Sequence, residues 1–240
     1  MPDSAVRPVG TGTAFIAVPL VFVAAFAVHP DLLDPRLLTP GEVIDRAHGA
    51  ALLQLGHALV LLATPLLVVV ALHLVHVLDG TRAHRSGLAG GALAVIGALA
   101  LAADKGALCL TMSAFDTLPE DVFAQLRPGV EALFDKAGWM VLVWGIVLLP
   151  LGFAIQAAAL WRTGAVPRWQ AASFLVGMLL IGTPDGMEIV NLAGAAALGV
   201  AFVPWGVGLI ARGWAGRGGT SAVGPIGLPA VELAGVPQTR

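Results

Sequence analysis

The chain has one cysteine, no tyrosine, and charged side chains at only 12% of its 240 positions. Each scarcity removes a class of protein. A lone Cys109 excludes an internal disulfide, a thiolate zinc site and a CxxC redox pair. Soluble domains carry about 25% charged residues, so half that content excludes a water-soluble enzyme built around a covered sheet. Thirteen Lys and Arg against fifteen Asp and Glu leave no basic footprint, so no nucleic acid partner is expected. The patterns GxxxxGK[ST], HExxH and GxSxG are also missing, which leaves no nucleotide loop, zinc-protease helix or nucleophile elbow.

What is present is apolar. Hydrophobic residues make up 58% of the chain, mean hydropathy is +0.88, and several apolar runs exceed the ~20 residues that cross a bilayer. The expected fold class is all-α: a polytopic transmembrane helical bundle over 1–212, with the lipid bilayer as its surroundings. Six spans are expected, at 11–28, 49–77, 88–112, 137–161, 169–183 and 189–211. Residues 213–240 turn to Gly, Pro, Ser and small apolar residues, which reads as a disordered cytoplasmic tail. A second reading concerns the first span, where Ala25-Phe26-Ala27 resembles a small-residue cleavage site behind Arg7. Cleavage there would leave five spans and the same orientation for the rest.

Orientation follows from the arginines, because short loops rich in Lys and Arg stay cytoplasmic. Arg7, Arg82, Arg85, Arg162, Arg168, Arg212 and Arg217 all fall on one side of a six-span chain, which predicts an N-in, C-in protein of the cell inner (plasma) membrane. The opposite side carries eleven acids, from Asp31, Asp34, Glu42 and Asp45 through Asp116, Glu120, Asp121, Glu131 and Asp135 to Asp185 and Glu188. Only Arg36, Arg46, Arg127 and Lys136 oppose them. Trp161, Trp169 and Trp214 at the inner boundary, and Trp139 near the outer one, read as headgroup anchors. The outer loop 113–136 has apolar spacings interrupted at Pro128, which predicts two short interfacial helices that could cover a cavity. The turn Leu160-Trp161-Arg162-Thr163-Gly164-Ala165-Val166-Pro167-Arg168-Trp169 resembles the cytoplasmic turn of uncharacterised small multi-pass membrane proteins of high-GC bacteria. That resemblance covers one hairpin and implies no activity.

Polar residues inside apolar spans carry the functional signal. Asp104 and Lys105 lie within the third span, where each ionised group costs ~3 kcal/mol on insertion scales and so faces protein or water. Helix neighbours point about 100° apart, so Asp104 is expected to need a partner other than Lys105, while Lys105 could instead snorkel to the headgroups. Counting back across the hairpin about Arg82 places Gln54 and His57 near the same depth. The fifth span holds only about fifteen residues, ~22 Å of helix, so Asp185, Glu188 and Asn191 should sit below the surface of a ~30 Å core. These residues predict an outward-facing polar pocket lined by Gln54, His57, Asp104, Lys105, Asp185, Glu188 and Asn191. The alternative is a polar network that only ties helices together. The small-residue stripe Gly90, Ala94, Ala98, Ala102 and Gly106 predicts close helix packing on the opposite side of the third span.

Three functional readings follow. One is a non-enzymatic accessory, sensor or small permease-like protein with a small-molecule or lipid ligand. Another is an intramembrane enzyme on a lipid or isoprenoid, with Asp104 or Glu188 as general acid or base and His57 as proton partner. The third is a b-haem or quinone electron-transfer subunit, for which His29 and His48 are the pair from separate segments. His73 and His76 share a helix face and read as interfacial residues, with a metal pair as the alternative. No catalytic residue or cofactor is assigned from sequence, no metal site is expected, and oligomeric state is open.

Overall fold

The apolar runs form helices, because a chain in lipid must satisfy its backbone hydrogen bonds within each segment. The computed structural model describes residues 3–29, 32–34, 36–134, 137–182 and 187–218. Among these residues it has eight helices and no strand: α1 (Asp3–Ala27), α2 (Pro40–Ala47), α3 (Ala51–Val77), α4 (His84–Phe115), α5 (Glu120–Phe134), α6 (Ala137–Thr163), α7 (Arg168–Ile181) and α8 (Glu188–Gly218). Within α1, α3, α4, α6 and α8 lie segments long and apolar enough to cross a membrane. Helix α7 has 14 residues, about 21 Å, which is short of the ~30 Å hydrocarbon core.

Each of the six expected spans corresponds to one helix, with shifted ends. Helix α4 starts at His84 rather than at 88, and α8 runs to Gly218, beyond the expected bundle boundary at 212. The first residues assigned to a disordered tail are therefore helical, and 219–240 lie outside the described residues. The expected pair of helices in 113–136 is replaced by one. Helix α4 takes in residues up to Phe115, and α5 passes through Pro128, because a proline removes one backbone donor without forbidding the turns on either side. Helix α2 has no counterpart among the expected elements. Its start is a capping box: Thr39 Oγ1 accepts from Glu42 N–H at 3.4 Å, and Glu42 Oε2 accepts from Thr39 N–H at 2.9 Å.

Six of the helices close into a ring. Each packs on the next in the order α1, α3, α4, α6, α7, α8, and α8 returns to α1. Helix α1 is thus a wall of the bundle, with Phe15, Val18 and Phe22 fully buried in its core. The tightest seam joins α4 to α6: a Cβ on Gly97 would collide with the Leu149 backbone, and one on Gly152 with the Ala94 backbone. The expected small-residue stripe therefore serves this seam through Gly90 and Ala94. It leaves the seam by Gly106, which faces Leu61 of α3 with room to spare. Buried amides add polar clasps of the kind that hold helices together in lipid. Gln156 Nε2 donates to Ala71 O (3.0 Å) and Gly87 O (3.4 Å), while Gln170 Nε2 and Ser173 Oγ of α7 donate to Ala201 O and Ala197 O of α8.

The outer surface of the ring is apolar. Leu20, Leu62, Leu72, Leu99, Val200 and Val207 are each more than half exposed, which suits a lipid boundary and would be unusual in water. Arg7, Arg82, Arg85, Arg162, Arg168, Arg212 and Arg217 lie at one end. There Arg82 Nη2 donates to Arg162 O, tying the two hairpin turns, and Arg168 lies 6.0 Å over the Trp161 ring. The opposite end carries α2, α5 and most of the acids. These two helices share a small apolar core of Ile44, Ala47, Leu53, Met112, Phe123 and Val130.

Candidate functional site

At the acidic end the ring encloses a cavity of about 430 Å³. All six ring helices reach it. Leu53, Gly56, His57 and Val60 of α3 form one helix face at spacings of three and four, joined by Leu101, Asp104 and Lys105 of α4 and by Phe22, Ala25 and Phe26 of α1, with His29 just beyond. Ile146, Val147, Leu149 and Pro150 come from α6, Met178 and Ile181 from α7 with Gly182 after it, and Glu188 and Asn191 from α8. Leu37, Leu38, Pro40 and Val43 lie over these walls as a roof. About one to three turns nearer the arginine end, a chain of rings fills the interior: Phe15 to Phe202 at 4.9 Å, Phe202 to Phe174 at 4.9 Å, and Phe174 to Phe153 at 5.6 Å. The cavity is therefore a cup with a packed aromatic base.

Of the seven residues expected to form a pocket, His57, Asp104, Lys105, Glu188 and Asn191 line this one cup. Asp185 lies outside the described residues. Gln54 corrects the expectation: it is buried but absent from the wall, because it sits one position round the helix from the face carrying Leu53 and His57. Its amide nitrogen and oxygen have no hydrogen-bond partner, and its carbonyl lies 3.8 Å from Cys109 Sγ. The pair at 104 and 105 stands closer than the angle between helix neighbours suggests. Lys105 Nζ approaches Asp104 Oδ2 to 3.4 Å, because the flexible four-carbon stem can fold back over the angle between adjacent positions. Lys105 thereby stays in the cup instead of snorkelling.

His29 is the cup residue that the sequence reading assigned elsewhere. Its Nε2 lies 3.8 Å from Glu188 Oε1, and Asn191 Nδ2 donates to Glu188 Oε2 at 3.3 Å. Asp104, Glu188 and Asn191 are only 4%, 4% and 5% exposed, and all three line the cavity. His48, the other half of the haem pair, stands in the separate α2–α5 cluster, where it stacks on Phe123 at 3.8 Å and lies 3.7 Å from Asp116 and 3.6 Å from Glu120. The two histidines do not face a common space. His73 packs edge-on against Phe15 at the arginine end while His76 is exposed. No group of three metal-ligating side chains gathers among the described residues.

The roof is fastened by charge. Arg127 of α5 holds Asp45 through two nitrogens at 2.5 and 2.7 Å, and Arg36 Nη1 donates to Glu42 Oε1 at 2.6 Å. The Thr39 backbone N–H, then the Arg36 guanidinium, hold the Glu42 carboxyl down at about 2, and Arg127 holds Asp45 below its ordinary value. Carboxyls lowered in this way add stability above their unfolded values, and that stability is lost as pH falls through the folded ones. For Glu42 the loss runs from an ordinary value of 4.5 down to about 2. Hydrogen exchange of α2 amides, corrected for intrinsic rate, should therefore quicken across that window while the α4–α6 seam stays protected. Glu42→Gln should produce the same loosening at neutral pH.

In comparison with known families, characterised proteins and solved structures, the chain has no match.

Proposed function

We propose that this is a multi-pass protein of the cell inner (plasma) membrane whose cup binds a small amphiphile, in the role of an accessory, sensor or permease-like unit. The observation that carries the reading is the composition of the cup. Its base and most of its wall are apolar, and a few polar groups line it, the buried Asp104, Glu188 and Asn191 and the half-buried His29, His57 and Lys105. Specific ligand sites have this character, with an apolar lining for affinity and a small number of placed polar groups for orientation. The test is mass spectrometry of the detergent-purified protein. An amphiphile should co-purify with the wild type and be depleted from Glu188→Gln, and its absence from a well-folded wild type would count against the reading.

The arginine end is proposed to face the cytoplasm, with both termini inside and the cup facing out, on the rule that Lys and Arg are retained inside. A fluorescent protein fused after Arg240 should glow and alkaline phosphatase fused there should be inactive. The reverse pattern would invert the orientation.

The pairing of Glu188 with His29 favours a second reading, an intramembrane acid–base enzyme on a lipid or isoprenoid. A carboxyl beside an imidazole in apolar surroundings can pass a proton to or from a bound ligand. Turnover of the co-purifying compound that is lost in His29→Ala, with binding retained, would select this reading over simple binding.

A further inference from the structure

Helix α6 shows a lipid-facing stripe of Trp144, Val147 and Leu151, exposed at spacings of three and four, and Val147 on that stripe is also a wall of the cup. Helix α7 repeats the arrangement. Val176 and Leu179 face outward, Gly182 continues the same line and is exposed, and Gly182 too lines the cup. A side chain on the outer stripe of a ring helix reaches the interior only where the ring is thin, and here the two places adjoin, with Gly182 set against the Pro150 ring of α6. Helix α7 itself ends at Ile181, short of the hydrocarbon thickness. From the acidic end, by contrast, the way in is covered by the roof that Arg127 and Arg36 fasten.

We propose that the cup fills sideways from the bilayer, through the seam between Val147 of α6 and Gly182 after α7, and that its occupant is a membrane-resident single-chain amphiphile. The inference rests on the binding reading above. At about 430 Å³ the cup lies near the small end of the ~300–1,000 Å³ range of ligand pockets, which suits one chain and its head. The polar end meets Glu188, Asn191 and Asp104, and the chain lies along Leu101, Leu149 and Met178 or trails out through the seam.

The test uses the full chain in vesicles of phosphatidylethanolamine and phosphatidylglycerol. A long-chain primary alcohol carrying a diazirine near its hydroxyl is dissolved in the bilayer, and a short-chain diazirine alcohol is supplied from water in parallel. After irradiation the labelled residues are mapped by mass spectrometry. The long-chain alcohol should label the segments around His29, Asp104 and Glu188. Val147→Trp should abolish that labelling, Val147→Ala should raise its initial rate, and Arg127→Gln, which loosens the roof from outside the cup, should leave it unchanged. If Arg127→Gln raises the labelling rate and neither Val147 variant changes it, or if only the short-chain alcohol enters, the cup fills from water and the lateral route is overturned. If neither alcohol labels any cup residue of the wild type, the binding reading itself fails. Val147→Ala keeps the question decidable should the tryptophan variant misfold.

Discussion

Gly97→Leu is expected to leave little folded protein, while Gly10→Leu should pass almost unnoticed. Both glycines lie inside long helices, so helix propensity favours the change at both, and only their surroundings differ. A Cβ at Gly97 would collide with the backbone of Leu149, whereas nothing lies within 4 Å of one at Gly10. Backbone cannot rotate away as the end of a side chain can, so α4 and α6 would have to separate along the seam that Gly90, Ala94 and Gly152 also build. Overpacking of this kind costs about 3 kcal/mol or more. In lipid, no hydrophobic drive between helices offsets it, because the helix contacts themselves supply the association energy. Fluorescence-detected size exclusion with a heating series in detergent would read the outcome. Equal apparent melting temperatures for the two variants would show that the α4–α6 seam does not hold the ring.

The second large effect concerns Asp104 and Lys105. Lys105→Met should destabilise the protein by about 3 kcal/mol or more, because it strips the ammonium from a carboxylate that is 4% exposed. The double variant Asp104→Asn with Lys105→Met should recover most of the loss, since an uncharged pair of similar volume leaves no buried carboxylate stripped of its ammonium. The same double variant separates structure from function. A cup that binds an amphiphile should lose its co-purifying ligand in the refolded double variant, whereas a purely structural network would leave ligand content unchanged. Thermal unfolding and ligand mass spectrometry on the same samples give both answers.

How far the site could be read from sequence depended on the reach of each signal. Asp104, Lys105, Glu188 and Asn191 stood out because a polar side chain in an apolar run is conspicuous wherever its helix packs. His57 followed by counting depth across one hairpin, a local operation. The same count brought in Gln54, since depth along a helix is a matter of residue number while direction around it depends on which neighbour packs there. His29 escaped because its partner, Glu188, is at the far end of the chain, and only the closure of α8 onto α1 sets them 3.8 Å apart. The roof escaped for a related reason. Residues 37–47 are short, mixed in character and weakly periodic, and they form a helix under a capping box because α5 offers Arg127 and an apolar face to settle on.

Composition and hydropathy by themselves determined that this chain is a multi-helix membrane protein, with its arginines gathered at one end and a few ionisable groups inside. Those properties follow from free energies of transfer that each segment carries alone. Only the tertiary structure decided that six helices close into a ring, that an aromatic base stops the cavity, and that Val147 is at once exposed outside and part of the cup wall. Each of these depends on which helix surfaces meet, and in lipid that choice is made by close packing and buried hydrogen bonds between segments distant in sequence.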